Sequence, residues 1–240
     1  MKVIRPNCRT QFTPADYAFM GSVLSIRGRE TRWFARAAED PDGLDIILDN
    51  PRLFRALLEL NACLPVSLHL YFYVLVRQML LQEDVKDREV ADYVAELLSE
   101  FAAHARWRQP HASEPRPMDY FHEMLAALEK AEGEKRFELL THIGNHALFL
   151  SGIFPGHLAR RAERRAAPGF RFYEEMGSAH FRIAGDHYVA RQLDMAPVLT
   201  TLGKAFHLAR RALNHLSERL VCLQTERAVK NLFREIDEAG

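Results

Sequence analysis

The chain has 240 residues, of which 48% are hydrophobic and 27% charged, and its 32 basic residues balance its 32 acidic ones. This composition is typical of a globular protein that is long enough to bury a substantial core. The zero net charge argues against nucleic-acid binding driven by overall charge. Cys8, Cys63 and Cys222 are widely spaced and odd in number, which favours free thiols in a reducing compartment over a disulfide framework.

The sequence shows no targeting or membrane signal. The N-terminal stretch MKVIRPNCRTQF lacks the apolar segment of a secretory signal. The longest apolar run, CLPVSLHLYFYVLV, ends at Arg77 and is shorter than the roughly 20 residues that a membrane-spanning helix needs. We therefore expect a cytoplasmic protein without a membrane span.

Helical periodicity dominates the first half of the chain. Thr13 followed by Pro14 predicts a first helix start, and Asn50 followed by Pro51 predicts a second. Further helices are predicted over 65–81 and 87–104. The acidic stretch DPDGLDIILDNP between the first two helices is predicted to be a solvated loop that caps its neighbours, because its spacing does not fit a calcium-binding loop.

A proline-rich stretch near the middle, RWRQPHASEPRPMD, predicts a linker at 105–117 between two helical halves. After it, helices are predicted over 118–130, 134–151, 155–166, 170–193 and 195–223, with one more that ends near residue 238. The long helices of the second half need the first half to cover their apolar faces. The sequence thus predicts one all-α domain over 1–240, a compact bundle-like arrangement of about nine helices.

Four histidines on two predicted helices form a candidate metal or haem site. Glu138, His142 and His146 follow at four-residue steps along the edge of an apolar face. His180 and His187 lie on the helix predicted over 170–193, too far apart (about 10 Å of helix rise) to bind one ion together. One of them could join His142 and His146, with Glu138 as a further ligand. The competing interpretation is that these are half-buried histidines that pack and form hydrogen bonds.

Glycines on the same two helices point to their contact. Gly144 and Gly177 each cost about 1 kcal/mol relative to alanine in a helix interior, which a helix tolerates where another group approaches the backbone closely. Tyr173 shares a helix face with His180. We expect a ligand pocket where the helices over 134–151 and 170–193 meet, although tight helix packing explains the glycines equally well.

The stretch PGHLARRAERRAAPG is locally basic. Arg160 pairs with Arg164, and Arg161 with Arg165, in two stripes at a four-residue spacing. Its thin apolar stripe predicts a surface helix with outward arginines. These could bind phosphate, RNA or an acidic partner, or form a solvated face paired with Glu163.

The stretch HIGNHALFLSGIFP, followed by FYEEMG, resembles a group of uncharacterised bacterial proteins. In that group a run of the form G-[DN]-x-x-L-F-x-x-G-F-F-P precedes a Y-Y-x-x-M-G element. The likeness covers mainly residues 140–190, with a fainter match in LPVSLHLYFYVLVR. The resemblance implies a bacterial origin and carries no activity.

Two functional hypotheses follow. The first is a cytoplasmic helical protein that binds or regulates, recognising a protein or small-molecule ligand through the two-helix contact and the arginine stretch; a homodimer would use the same kind of surface. It is favoured because no zinc-protease, P-loop or nucleophile-elbow motif is present. The second is a metal- or haem-binding protein, with enzyme activity still open, that uses His142, His146 and His180 or His187.

Overall fold

The computed structural model describes residues 3–26, 30–60, 66–107, 121–156, 158–160 and 169–222. Every regular element within these ranges is a helix, so the all-α prediction is confirmed for them. The described residues form twelve α-helices with defined ends, compared with about nine predicted. A 3-10 helix (Cys8–Gln11) precedes them. No helix among the described residues combines the length and apolar character that crossing a bilayer requires.

The first half contains six α-helices and the second half also six. In chain order they are α1 (Pro14–Val23), α2 (Glu30–Glu39), α3 (Pro41–Leu48), α4 (Pro51–Leu58), α5 (Leu68–Gln82), α6 (Arg88–Trp107), α7 (Phe121–Glu129), α8 (Gly133–Ile153), α9 (Phe170–Asp186), α10 (Tyr188–Gln192), α11 (Ala196–Lys204) and α12 (Phe206–Cys222).

Residues 41–48 of the acidic stretch form helix α3, so the predicted loop is wrong there, whereas Asp40 and Asn50 cap helices as predicted. Asp40 accepts a hydrogen bond from the Gly43 backbone N–H at 2.9 Å, and Pro41 occupies the first helical position of α3. This is the same combination of cap and proline that begins α1 at Thr13. An N-terminal cap satisfies backbone donors that the first turn leaves unpaired, so the acidic side chains of this stretch start a helix.

Two predicted helices are each divided in two. The helix predicted over 170–193 ends at Asp186, because His187 has extended backbone angles and its side chain caps α10. The helix predicted over 195–223 is interrupted at Ala205, which separates α11 from α12. The predicted linker at 105–117 begins inside α6, and residues 108–117 lie outside the described residues. The same holds for 161–166 of the helix predicted over 155–166 and for the chain beyond 222.

One hydrophobic cluster of buried side chains runs from Ile4 to Leu220 and joins both halves. Phe101 of α6 stacks on Phe149 of α8 with 4.1 Å between ring centroids. The buried Tyr93 hydroxyl of α6 donates a hydrogen bond of 2.8 Å to the Asn145 amide oxygen of α8. The helices on either side of residues 108–120 therefore share a core.

An ionic network joins the N-terminal helices to α5 and α6. The Arg9 side chain binds three carboxylates from two helices: Asp92 and Glu89 of α6, and Asp45 of α3. The interface between α5 and α6 carries a row of polar residues at four-residue spacing, which we call the α5–α6 seam. It consists of His69, Tyr73 and Arg77 on α5 and of Arg88, Asp92 and Glu96 on α6.

Two glycines allow α9 to pack closely on its neighbours, Gly144 at the contact with α8 and Gly177 at the contact with α12. A Cβ added to Gly144 of α8 would lie 2.8 Å from carbon atoms of the Phe181 ring of α9. A Cβ added to Gly177 of α9 would overlap with the Phe206 ring at the start of α12. Phe181 and Phe206 are themselves fully buried and in ring contact at 6.1 Å. Two aromatic rings thus fill the space that the two glycines leave.

We expect Gly177→Ala to destabilise the protein by about 2 kcal/mol, because the Phe206 ring has to move and overpacking outweighs the gain in helix propensity. Gly21→Ala is the matched control, since Gly21 is also helical but its added Cβ would make only an ordinary contact of 3.7 Å with Phe34. The control should be unchanged or slightly more stable, by up to about 1 kcal/mol. Urea unfolding measures both changes, and equal stability of the two variants would contradict the packing described here.

Candidate functional site

The ring of Phe121, the first residue of α7, contacts side chains from two other helices. Its ring lies 5.2 Å from the imidazole of His146 on α8, 5.8 Å from Phe172 and 5.4 Å from Tyr173, both on α9. His142, one turn before His146, continues the group along α8. We call these five residues, Phe121, His142, His146, Phe172 and Tyr173, the aromatic–histidine face.

Solvent reaches most of this face. Tyr173 is buried, whereas the other four side chains are half-buried. The face therefore offers ring surfaces and imidazole groups that are partly desolvated. Partly buried apolar surface with a few converging polar groups is the usual character of a ligand-binding site.

Both histidines of the face are held in the neutral form. Burial lowers the pKa of His146 to about 4, and the neighbouring His142 acts in the same direction. Burial also lowers the pKa of His142. At neutral pH each imidazole is therefore uncharged, with one nitrogen that donates a hydrogen bond and one that accepts.

The close approach of α8 and α9 brings these residues together. His142 and His146 lie one helical turn apart, with 6.2 Å between ring centroids and an angle of 28° between their planes. Between them in the chain, Gly144 lets the Phe181 ring of α9 lie against the α8 backbone. The aromatic rings of α9 that precede Phe181 can then reach Phe121, which completes the face from a third helix.

The glycines themselves line no open space in the structure. Phe181 fills the position beside Gly144, and Phe206 fills the one beside Gly177. Of the two interpretations that the sequence left open for them, the observed contacts are those of helix packing. Their role in ligand binding stays a prediction that these contacts do not support.

His180, His187 and Glu138 have other partners. His180 is buried and its Nδ1 forms a hydrogen bond of 2.8 Å with the Met176 carbonyl oxygen. His187 accepts a hydrogen bond at Nδ1 from the Val189 backbone N–H at 3.3 Å as it caps α10. Glu138 forms an ion pair of 3.0 Å with Lys135.

A metal site gains no support from these positions. In the part of the chain that the structure describes, no group of three or more His, Cys, Asp or Glu side chains is arranged to hold a metal ion. The metal or haem hypothesis for His142, His146 and His180 or His187, with Glu138, stays a prediction without a geometry in its favour.

The arginine stretch is described only at its start. Arg160 is exposed to solvent, as expected for a surface helix. Arg161, Arg164 and Arg165 lie outside the described residues. In the chain they shortly precede Phe170, the residue at which α9 begins and with it the part of the face formed by Phe172 and Tyr173.

Sequence reasoning missed Phe121 and Phe172 as members of the site. Phe172 stands one position before Tyr173 on the same helix, so its aromatic neighbour was a usable signal. Phe121 had no comparable signal, because its partners come from two helices that are distant in the chain.

The chain matches no protein-family model, and neither a curated protein nor a solved structure matches it. The fold and the face define the class: an all-α chain that presents a half-buried surface of aromatic rings and neutral imidazoles. Any function assigned to it has to follow from the chemistry of these residues.

We expect the imidazole of His146 to titrate near pH 4, far below the ordinary histidine pKa of about 6.5. NMR spectra of the imidazole Cε1–H groups over a pH series measure this, and the signal that disappears in His146→Gln identifies the residue. Because the folded-state pKa lies below the unfolded one, the unfolded chain takes up the proton first as the pH falls. Stability should therefore decrease from about pH 6.5 towards pH 4, and less steeply in His146→Gln. A midpoint near the ordinary value would contradict the burial of this ring.

Proposed function

We propose that the chain is a helical binding protein whose aromatic–histidine face receives a ligand or a protein side chain with an aromatic or apolar body and a polar head. The proposal rests on the ring contacts of Phe121 with His146 and Tyr173, which bring together side chains from three helices. Regulation through such binding is part of the same proposal.

The chemistry of the face defines what it can recognise. Aromatic rings gain most from apolar or aromatic partners that pack on them edge-to-face or offset. The neutral imidazoles of His142 and His146 add hydrogen bonds without a charge that would need compensation. A ligand that combines a flat apolar part with a hydrogen-bond acceptor fits both properties.

We extend the proposal to an anionic head on the ligand, because the locally basic arginine stretch shortly precedes α9 in the chain. Arg160 is exposed, and Arg161, Arg164 and Arg165 follow it within five residues of chain. Exposed guanidinium groups attract anions over about 10 Å at moderate salt, and this attraction weakens as salt increases. A protein segment with an acidic and an aromatic residue would offer the same two features as a small anionic aromatic molecule.

The fluorescent dye 8-anilinonaphthalene-1-sulfonate has this chemistry and serves as the probe. We expect the folded protein to bind it saturably at one site. Phe172→Ala should weaken the affinity about fivefold, because one ring contact is worth about 1 kcal/mol. His146→Ala should weaken it by up to about tenfold, because a hydrogen bond to the sulfonate is lost. Fluorescence titration measures each affinity.

Two comparisons make the result specific. His207→Ala is the matched control, since His207 is an exposed histidine of α12 that is not part of the face, and the affinity of this variant should equal that of the wild type. Replacing Arg160, Arg161, Arg164 and Arg165 by alanine should reduce the affinity mainly at low salt. Near-UV circular dichroism must show that every variant stays folded. Equal dye affinity in Phe172→Ala, His146→Ala and His207→Ala would disprove the proposed site.

A further inference from the structure

The α5–α6 seam holds two polar atoms without a hydrogen-bond partner. Among the buried side-chain nitrogen and oxygen atoms of the described residues, only the Tyr73 hydroxyl and Glu96 Oε2 lack one. Tyr73 is fully buried and Glu96 is 4% exposed. His69 Nε2 lies 3.4 Å from Glu96 Oε2 but without hydrogen-bond alignment. Arg88 lies near the Tyr73 hydroxyl and interacts with it. Buried polar groups are almost always paired, so the unpaired Glu96 Oε2 indicates that a donor-bearing group is missing beside it.

The charge around the seam points to a cation. Five carboxylates and three guanidinium groups lie in or beside the seam, so the carboxylates outnumber the guanidinium groups. The carboxylates are those of Asp45, Asp49, Glu89, Asp92 and Glu96, and the guanidinium groups are those of Arg9, Arg77 and Arg88.

Arg77 and Arg88 are fixed parts of the seam. Both bind Asp49, with Nε of Arg77 at 3.1 Å and Nη2 of Arg88 at 2.7 Å from its oxygens. Arg77 also donates to the Lys86 carbonyl oxygen at 2.7 Å. Each of these two arginines lies on a long helix of the core, α5 or α6.

Arg9 comes from outside the two helices, and one of its partners, Asp45, also pairs with Nε of Arg88 at 2.8 Å. Its Nη1 lies 2.9 Å from Asp45, its Nη2 lies 3.1 Å from Glu89, and its Nε lies 3.2 Å from Asp92. Its guanidinium carbon stands 5.6 Å from the centre of the Tyr73 ring, within the range of a cation–π contact. Three carboxylates and one aromatic face form a complete receptor for a guanidinium group.

The segment that supplies Arg9 is a four-residue 3-10 helix. The Arg9 backbone N–H also donates to Asp92 Oδ1 at 2.9 Å, so the amide reports directly whether the segment is docked. As a tethered side chain, Arg9 satisfies Asp45, Glu89 and Asp92 but leaves Glu96 Oε2 and the Tyr73 hydroxyl unpaired. A free ligand with a second donor group can pair with Glu96 Oε2 as well.

We propose that the α5–α6 seam is a binding site for a small guanidino-amine, a linear cation with a guanidinium at one end and an ammonium at the other, and that Arg9 closes this site in the absence of ligand. The ligand guanidinium takes the place of Arg9 among Asp45, Glu89 and Asp92. The ammonium of the ligand donates a hydrogen bond to Glu96 Oε2. This site is separate from the aromatic–histidine face.

Agmatine is the probe, and hydrogen–deuterium exchange of the wild-type protein is the deciding measurement. We expect agmatine to raise the exchange of the amides of residues 8–12 saturably, because it displaces Arg9 from Asp92. N-butylurea, which is neutral and of similar shape, should have no effect. Dye binding at the aromatic–histidine face should be unchanged by agmatine, so that failure of either proposal is seen separately.

Variants test the competition. Arg9→Ala should bind agmatine at least about tenfold more tightly than the wild type, because no internal guanidinium competes for the site. Adding Glu96→Gln to Arg9→Ala should weaken binding again, whereas Glu175→Gln, at an exposed residue of α9, should not. Calorimetric titration gives these affinities, and Arg9→Lys replaces Arg9→Ala if the latter does not fold.

Two results would overturn the proposal. One is the absence of saturable agmatine binding by the folded Arg9 variant. The other is binding by that variant without any change of exchange in the wild type at agmatine concentrations that saturate the variant. In the second case agmatine fills only a space that the mutation made, and Arg9 is a permanent part of the fold.

Discussion

The position of the candidate site depends on one contact, the packing of α8 on α9 through a glycine. At Gly144 the absent side chain lets the Phe181 ring of α9 touch the backbone of α8. At Gly177 the absent side chain likewise lets the Phe206 ring of α12 touch the backbone of α9. Because these rings fill their space completely, the two helices have a single well-defined distance. That distance brings the imidazole of His146 to the ring cluster around Phe121.

The polar row along α5 and α6 is of a different kind. Beside the buried apolar residues of these helices, Arg77 and Arg88 pair with Asp49, and Arg9 from outside the two helices completes the network. Buried ion pairs cost desolvation that their attraction repays only with good geometry, so such a seam is a poor way to gain stability alone. We propose that a competing cation displaces Arg9 from it, whereas the apolar contact between α8 and α9 offers no group for such an exchange.

The sequence was sufficient for the fold class and for many helix starts, because caps and prolines act locally; Thr13 and Asn50 begin helices as predicted. Asp40 followed by Pro41 is the same kind of helix start, but the many acidic residues around it led to the prediction of a loop. The four-residue spacing of His142 and His146 predicted their common helix face correctly. What surrounds them could not be predicted, since Phe121 reaches His146 only through the tertiary packing of three helices. Likewise, a glycine in a helix indicates a close approach but does not say whether a ring or a ligand makes it.

The central claim is that the aromatic–histidine face binds ligands through neutral imidazoles. The most direct measurement is the NMR spectrum of the histidine side chains at neutral pH during addition of 8-anilinonaphthalene-1-sulfonate. We predict that the signals of His142 and His146 shift saturably and stay those of neutral rings, while the signal of the exposed His207 does not move. If the dye binds and the signals of His142 and His146 remain unchanged, or if both rings are already charged before it is added, the account of this face is contradicted.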